Sequence, residues 1–149
     1  MSLATETEPD KNTQLVPRAY QDEMVAIAIQ QNTIVRMDTG TGKSLISVGV
    51  IRSFTSGIVK DRDPAKLIVF VVPTVALVTQ QADYIASQLP LKVKAFRGDD
   101  GVEFWKTEQW EKQLEDANVI VLTAQVSTLI STRSLNADRI KRVRYSSTF

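Results

Sequence analysis

The chain has 149 residues, 43% of them hydrophobic and 23% charged, with a formal net charge of +1. That is the length and balance of one ordinary globular domain with a real core, and near-neutral charge leaves any nucleic-acid contact to local shape and backbone donors. With no cysteine and no histidine, disulfides, thiolate metal sites, cysteine nucleophiles and a Ser-His-Asp triad are excluded.

The opening, "MSLATETEPDKNTQ", is polar and acidic, and residues 1–16 read as a disordered lead-in without the apolar core of a signal peptide. No apolar run approaches membrane-spanning length, so a cytoplasmic or nuclear protein without a membrane partner is expected. Regular patterning begins at Pro17. "PRAYQDEMVAIAIQQ" spaces Met24, Ile27 and Ala28 as an amphipathic helix does. "NTIVRM" is a β-branched run that reads as a strand through Ile34 and Val35, and "GKSLISVGVIRSFTS" follows as a helix. "KLIVFVV" is continuously apolar, as a strand buried on both faces is.

"TVALVTQQADYIASQL" reads as a helix ended by Pro90, and "KVKAF" as a strand. "EFWKTEQWEKQLED" is a charged amphipathic helix whose Trp105 and Trp110 are expected to pack against the sheet. "NVIVLT" is another buried strand and "AQVSTLIST" a short helix. Strands alternating with helices over residues 17–132 predict an α/β fold: a RecA-like P-loop domain with a mainly parallel sheet covered by helices on both faces. Residues 133–149, "RSLNADRIKRVRYSSTF", are basic without a clear apolar period and read as a divergent tail, solvated or a poorly formed strand.

The chemistry concentrates in "MDTGTGKS", residues 37–44. Gly42, Lys43 and Ser44 fill the last three positions of the phosphate-loop pattern G-x-x-x-x-G-K-[ST]. Met37 stands at its first position, so the strict pattern fails, and Gly40 supplies backbone freedom instead. The physical requirement is a tight loop whose N–H groups converge on an anion at a helix start. Asp38, Thr39, Gly40, Thr41, Gly42, Lys43 and Ser44 are therefore the candidate nucleotide-binding residues. Lys43 would reach the β- and γ-phosphates, and Ser44 would ligate Mg²⁺.

Two further stretches carry a resemblance. "RAYQ", residues 18–21, resembles the adenine-reading Q motif of superfamily 2 helicases. The Gln21 amide donates and accepts at once, which suits adenine's N6/N7 edge, and Tyr20 or Arg18 could stack on the base. "VVPTVALVTQQ" resembles helicase motif Ia, in which Pro73 and Thr74 would face a nucleic-acid phosphate. Thr74 is equally suited to cap the following helix.

"FRGDDGVEFWKTEQWEKQLEDANVIVLTAQVSTLI", residues 96–130, narrows the family. Together with "MDTGTGKS" it resembles the amino-terminal part of the helicase domain of Dicer and Dicer-like ribonucleases, the fungal Dicer-like branch among them. The resemblance runs from about Arg18 to about Ile130. It implies ATP and Mg²⁺ as cofactors, double-stranded RNA as partner, and a role in RNA silencing. It also implies that Gly98 and the "TAQ" element, with Thr123 and Gln125, approach RNA.

The same resemblance implies a "DECH"- or "DEAH"-type strand, whose Asp holds Mg²⁺ and whose Glu orients the attacking water. No run of four apolar residues among the 149 is followed by Asp-Glu, so an incomplete first helicase subdomain, truncated before that motif, is expected. The remainder of the helicase domain is then a covalent or missing partner, and only Lys43 and Ser44 of the catalytic set are present. ATP binding without turnover follows, with Asp99, Asp100 and Asp138 as the carboxylates to test if turnover occurs. A non-catalytic nucleotide- or RNA-binding relic and another superfamily 2 helicase remain alternatives.

Overall fold

The computed structural model describes residues 16–38, 40–61, 67–132 and 145–146, with side chains omitted for 56–61 and 145–146. The chain order is α1 (Ala19–Gln30), α2 (Lys43–Asp61), β1 (Ile68–Val72), α3 (Val75–Gln88), β2 (Val93–Phe96), α4 (Thr107–Leu114), β3 (Val119–Thr123), α5 (Ala124–Thr132) and β4 (Tyr145–Ser146). Two short 3-10 turns, Gly98–Asp100 and Val102–Phe104, lie between β2 and α4. The expected lead-in and basic tail fall outside the described residues, save for Val16 and the pair in β4.

The sheet has the order β2-β3-β1-β4, and every pairing in it is parallel. β3 is its spine. Ile68 to Val72 of β1 register against Val119 to Thr123 on one side, and Val93 to Phe96 of β2 against Val119 to Leu122 on the other. Asn118 aligns the three strand starts. Its side-chain oxygen accepts the Lys92 N–H at 2.9 Å, its own N–H donates to Lys92 O at 2.9 Å, and its carbonyl accepts the Ile68 N–H at 3.0 Å.

Alternation along the strands divides the core in two. Ile68, Phe70, Val72, Val119 and Val121 face Val48 and Ile51 of α2 and Val78, Ala82 and Ile85 of α3. Val69, Ile120, Leu122 and Phe96 face Trp110 of α4 and Val126 and Ile130 of α5. Apolar runs with no polar alternation are thus explained by burial on both sides, at about 1.5–3 kcal/mol for each large side chain removed from water. On the second face, Phe96, Trp105 and Trp110 meet edge to face, with ring centroids 4.9–5.8 Å apart. The two tryptophans pack on this face as the sequence suggests, although Trp105 lies between the 3-10 turn and α4, outside the helix expected to hold it.

One expectation is corrected. The run through Ile34 and Val35 forms no strand: residues 32–38 lack regular structure, and Ile34 is 98% exposed. β-Branched residues favour strands only where a neighbouring strand offers pairing and a packed face. The outer edge of β1 is met at Phe70 and Val71 by β4, and no described strand pairs with 32–38. The glycine loop before α2 is therefore held from its helical side.

Candidate functional site

The loop between residue 38 and α2 depends on two glycines. Gly40 has φ +82° and Gly42 has φ +84°, a left-handed backbone that costs other residues roughly 1–2 kcal/mol. Gly42 O accepts the N–H groups of Leu45 at 3.0 Å and Ile46 at 3.4 Å, which starts α2 directly behind the glycine. Lys43 and Ser44 thus occupy the first turn of α2, a helix of 19 residues, where the helix dipole favours an anion. The Lys43 ammonium turns back over the loop and donates to Met37 O at 2.8 Å and Asp38 O at 3.4 Å. Asp38 O also accepts the Thr41 hydroxyl at 2.6 Å. Thr39 lies outside the described residues.

α1 reaches this loop because Gly49, inside α2, has no side chain. A Cβ there would lie 2.6 Å from Val25 Cγ2 of α1, so the glycine lets the two helices approach closely. Tyr20 and Gln21, in the first turn of α1, then meet the loop. The Tyr20 phenol donates to Thr41 O at 2.7 Å. Gln21, 4% exposed, accepts the Arg18 N–H through Oε1 at 2.8 Å. Its Nε2 faces Thr41 O at 3.4 Å and Gly42 O at 3.3 Å. A Cβ on Gly42 would collide with that same Nε2. Sequence reasoning placed Tyr20, Gln21 and the loop in one site but missed the phenol bond and the part played by Gly49. A glycine inside a helical pattern was the available signal.

Parallel register puts the other expected residues at one end of the sheet. β1 ends beside β3 with Val72 opposite Thr123, and β2 beside β3 with Phe96 opposite Leu122. Pro73 and Thr74, Ala124 and Gln125, and Arg97 and Gly98 follow those strand ends in turn. Pro73, Thr74, Gly98 and Gln125 are exposed, whereas Thr123 is 7% exposed and belongs to the strand's buried end. Thr74 occupies the N-cap position of α3 without a capping bond from its side chain, so its hydroxyl is not committed to the helix.

One carboxylate near this edge is tied locally. Asp100 accepts from Arg97 through its backbone N–H at 3.0 Å and its guanidinium at 3.0 Å, and those bonds hold its carboxyl below the usual carboxylate range. The same pairing raises the Arg97 guanidinium. No group of three or more Asp or Glu side chains suited to a metal occurs among the described residues. Asp138 lies outside the described residues. No helix among the described residues is long and apolar enough to cross a membrane.

A model of the DEAD/DEAH box helicase family matches residues 18–146. The chain is 42% identical over 118 residues to the endoribonuclease Dicer homolog 2b of Oryza sativa subsp. japonica, covering 79% of this chain and 8% of that protein. It is 39% identical over 127 residues to the endoribonuclease Dicer homolog 2 of Arabidopsis thaliana, covering 83% and 9%. Against the Dicer-like protein 2 of Aspergillus terreus it is 45% identical over 113 residues, covering 74% and 8%. The chain thus spans less than a tenth of the length of these relatives. With its parallel α/β sheet and the match over residues 18–146, the chain belongs to the DEAD/DEAH box helicase family, where it corresponds to the amino-terminal part of a Dicer-like RNA helicase domain.

Proposed function

We propose that this segment is the nucleotide-holding and RNA-facing part of a Dicer-like helicase of RNA silencing. The observation that carries this reading is the docking of Gln21 on Gly42, where two left-handed glycines open the long helix α2. The loop's N–H groups and Lys43 hold the phosphates of ATP, and Lys43 exchanges its bonds to Met37 O and Asp38 O for phosphate oxygens. The Ser44 hydroxyl meets Mg²⁺, which neutralises phosphate charge when bound. Gln21 reads adenine by giving up its two long bonds to the loop carbonyls, since its amide can donate and accept together. Arg18, exposed beside it, lies against the base.

Pro73, Thr74, Gly98 and Gln125 present backbone and hydroxyl groups to the phosphates of double-stranded RNA, a contact that fixes position without reading sequence. Thr123 supports that edge from within. Turnover requires a metal-holding carboxylate, a positioned water and charge neutralisation at the γ-phosphate. Lys43 and Ser44 supply one side of that arrangement, so the 149 residues alone bind ATP without hydrolysing it.

The test pairs binding with turnover. Titrations with ATP and GTP in Mg²⁺ should show preference for ATP in the wild type and a narrowed preference in Gln21→Ala. Equal affinity for the two nucleotides in the wild type would remove the adenine assignment. Phosphate release should stay at the level of a Lys43→Ala blank, with or without duplex RNA. RNA-stimulated release that disappears in Lys43→Ala would instead demand a surrogate carboxylate, with Asp99, Asp100 and Asp138 the first to replace.

A further inference from the structure

We propose that Tyr20 is a positioning residue whose phenol latches the phosphate loop in its anion-binding shape. In this role it does not stack on the base. The proposal rests on the nucleotide-binding reading above and deepens it. A trans peptide unit is planar, with its C=O and N–H pointing opposite ways. The Tyr20 phenol fixes Thr41 O toward α1 at 2.7 Å, so the N–H of Gly42, in the same peptide unit, points away from α1. Gln21 Nε2 lies 3.3 Å from Gly42 O, and the first turn of α2 holds that carbonyl as well. The Lys43 N–H is therefore fixed in the same manner. Two successive N–H groups are thus aimed from outside the loop, by neighbouring residues of one helix.

The bonds are unequal. The phenol bond is 2.7 Å, whereas the amide approaches Thr41 O at 3.4 Å and Gly42 O at 3.3 Å. Tyr20 makes the shorter contact, and Gln21 keeps its amide available for exchange. Gly42 cannot hold the loop by itself, because its conformation is one that glycine leaves as readily as it enters. When the latched shape is the binding-competent one, apparent affinity scales with the fraction of loops latched. A base-stacking Tyr20 would act through its ring, and Tyr20→Phe keeps the ring. The phenol hydrogen bond is all that this variant removes.

The experiment compares the full chain with its Tyr20→Phe variant in two ways. Without ligand, hydrogen exchange at the amides of residues 41–46 should quicken by roughly three- to tenfold, the range set by one ordinary hydrogen bond, with α3 and the sheet unchanged. In calorimetry, the affinities for ATP and for inorganic tripolyphosphate, which has no base, should fall by the same factor, again roughly three- to tenfold. Unchanged exchange at the loop overturns the latch. So does quickened exchange throughout α1 and α2, which would mean lost packing. A fall for ATP with tripolyphosphate unaffected overturns it too, because the residue would then act on the base. A wild type that binds neither ligand refutes the nucleotide-binding reading, and the exchange comparison still decides the latch.

Discussion

The phosphate loop and the β1–β3 core are built on opposite principles. The core is apolar on both faces, with Val119, Ile120, Val121 and Leu122 all fully buried, and no single bond holds it. The loop buries little and stands on a few identifiable contacts: two left-handed glycines, the Tyr20 phenol, the Gln21 amide and the Lys43 ammonium. Damage to the first region should therefore appear as lost stability, and damage to the second as lost binding.

The sharpest way to break that division is from the core side. Trp110→Ala removes the largest fully buried side chain and should cost about 3–5 kcal/mol of stability, measured by urea unfolding. Trp110→Phe should cost far less, because Trp110 Nε1 has no hydrogen-bond partner among the described residues, so its loss leaves none of their acceptors unsatisfied. Equal losses in the two variants would mean that a phenyl ring recovers none of the packing, and would contradict the account of Trp110 as a core side chain.

The loop glycines come next and are unequal. Both need left-handed φ, but a Cβ on Gly40 meets nothing within 4 Å, whereas one on Gly42 collides with Gln21. Gly40→Ala should cost about 1–2 kcal/mol from conformation alone. Gly42→Ala should cost more and should displace Gln21, weakening nucleotide binding further. Calorimetry that finds the two variants equally impaired would refute the docking of Gln21 on Gly42.

Acid should affect the sheet edge more gently. Lys94 holds Asp116 below the usual carboxylate range, and Arg97 does the same for Asp100. A lowered carboxylate contributes stability that is present above its ordinary value near 3.8 and lost as pH falls through the lowered one. Asp100 and Asp116 are both exposed, so the effect should be small. Thermal melts of wild type and of an Asp100→Asn/Asp116→Asn variant should differ near neutral pH and converge as pH falls below about 4. A gap that persists in strong acid would contradict the assignment.

The smallest effect should come from Phe104, which is 79% exposed on the turn before α4. Phe104→Ser should leave stability within roughly 0.5 kcal/mol of wild type. A larger loss in thermal melts would mean that its ring is packed.

The core could be read from the sequence because burial on both faces leaves an unbroken apolar signature, as in "KLIVFVV" and "NVIVLT". The loop could be read from its glycines and Gly42-Lys43-Ser44. The segment through Ile34 and Val35 was misread because β-branched composition reports a preference, while strand formation needs a partner that no described strand provides. The contacts of Tyr20 and Gly49 could not be read, because they depend on how α1 lies across α2. No local pattern encodes that distance. Thr123 likewise shares its sequence neighbourhood with Gln125, but Thr123 ends the buried strand β3 whereas Gln125 lies in the first turn of α5.

The most direct measurement is calorimetric titration of ATP with Mg²⁺ into wild type and Lys43→Ala, with thermal melts on the same samples. Lys43 contributes a charged donor to the site, so its removal should weaken binding by roughly ten- to a hundredfold, while both proteins melt at nearly the same temperature. Equal binding by the two proteins would contradict the account of the loop. Loss of binding together with a collapsed melt would contradict the separation of loop from core.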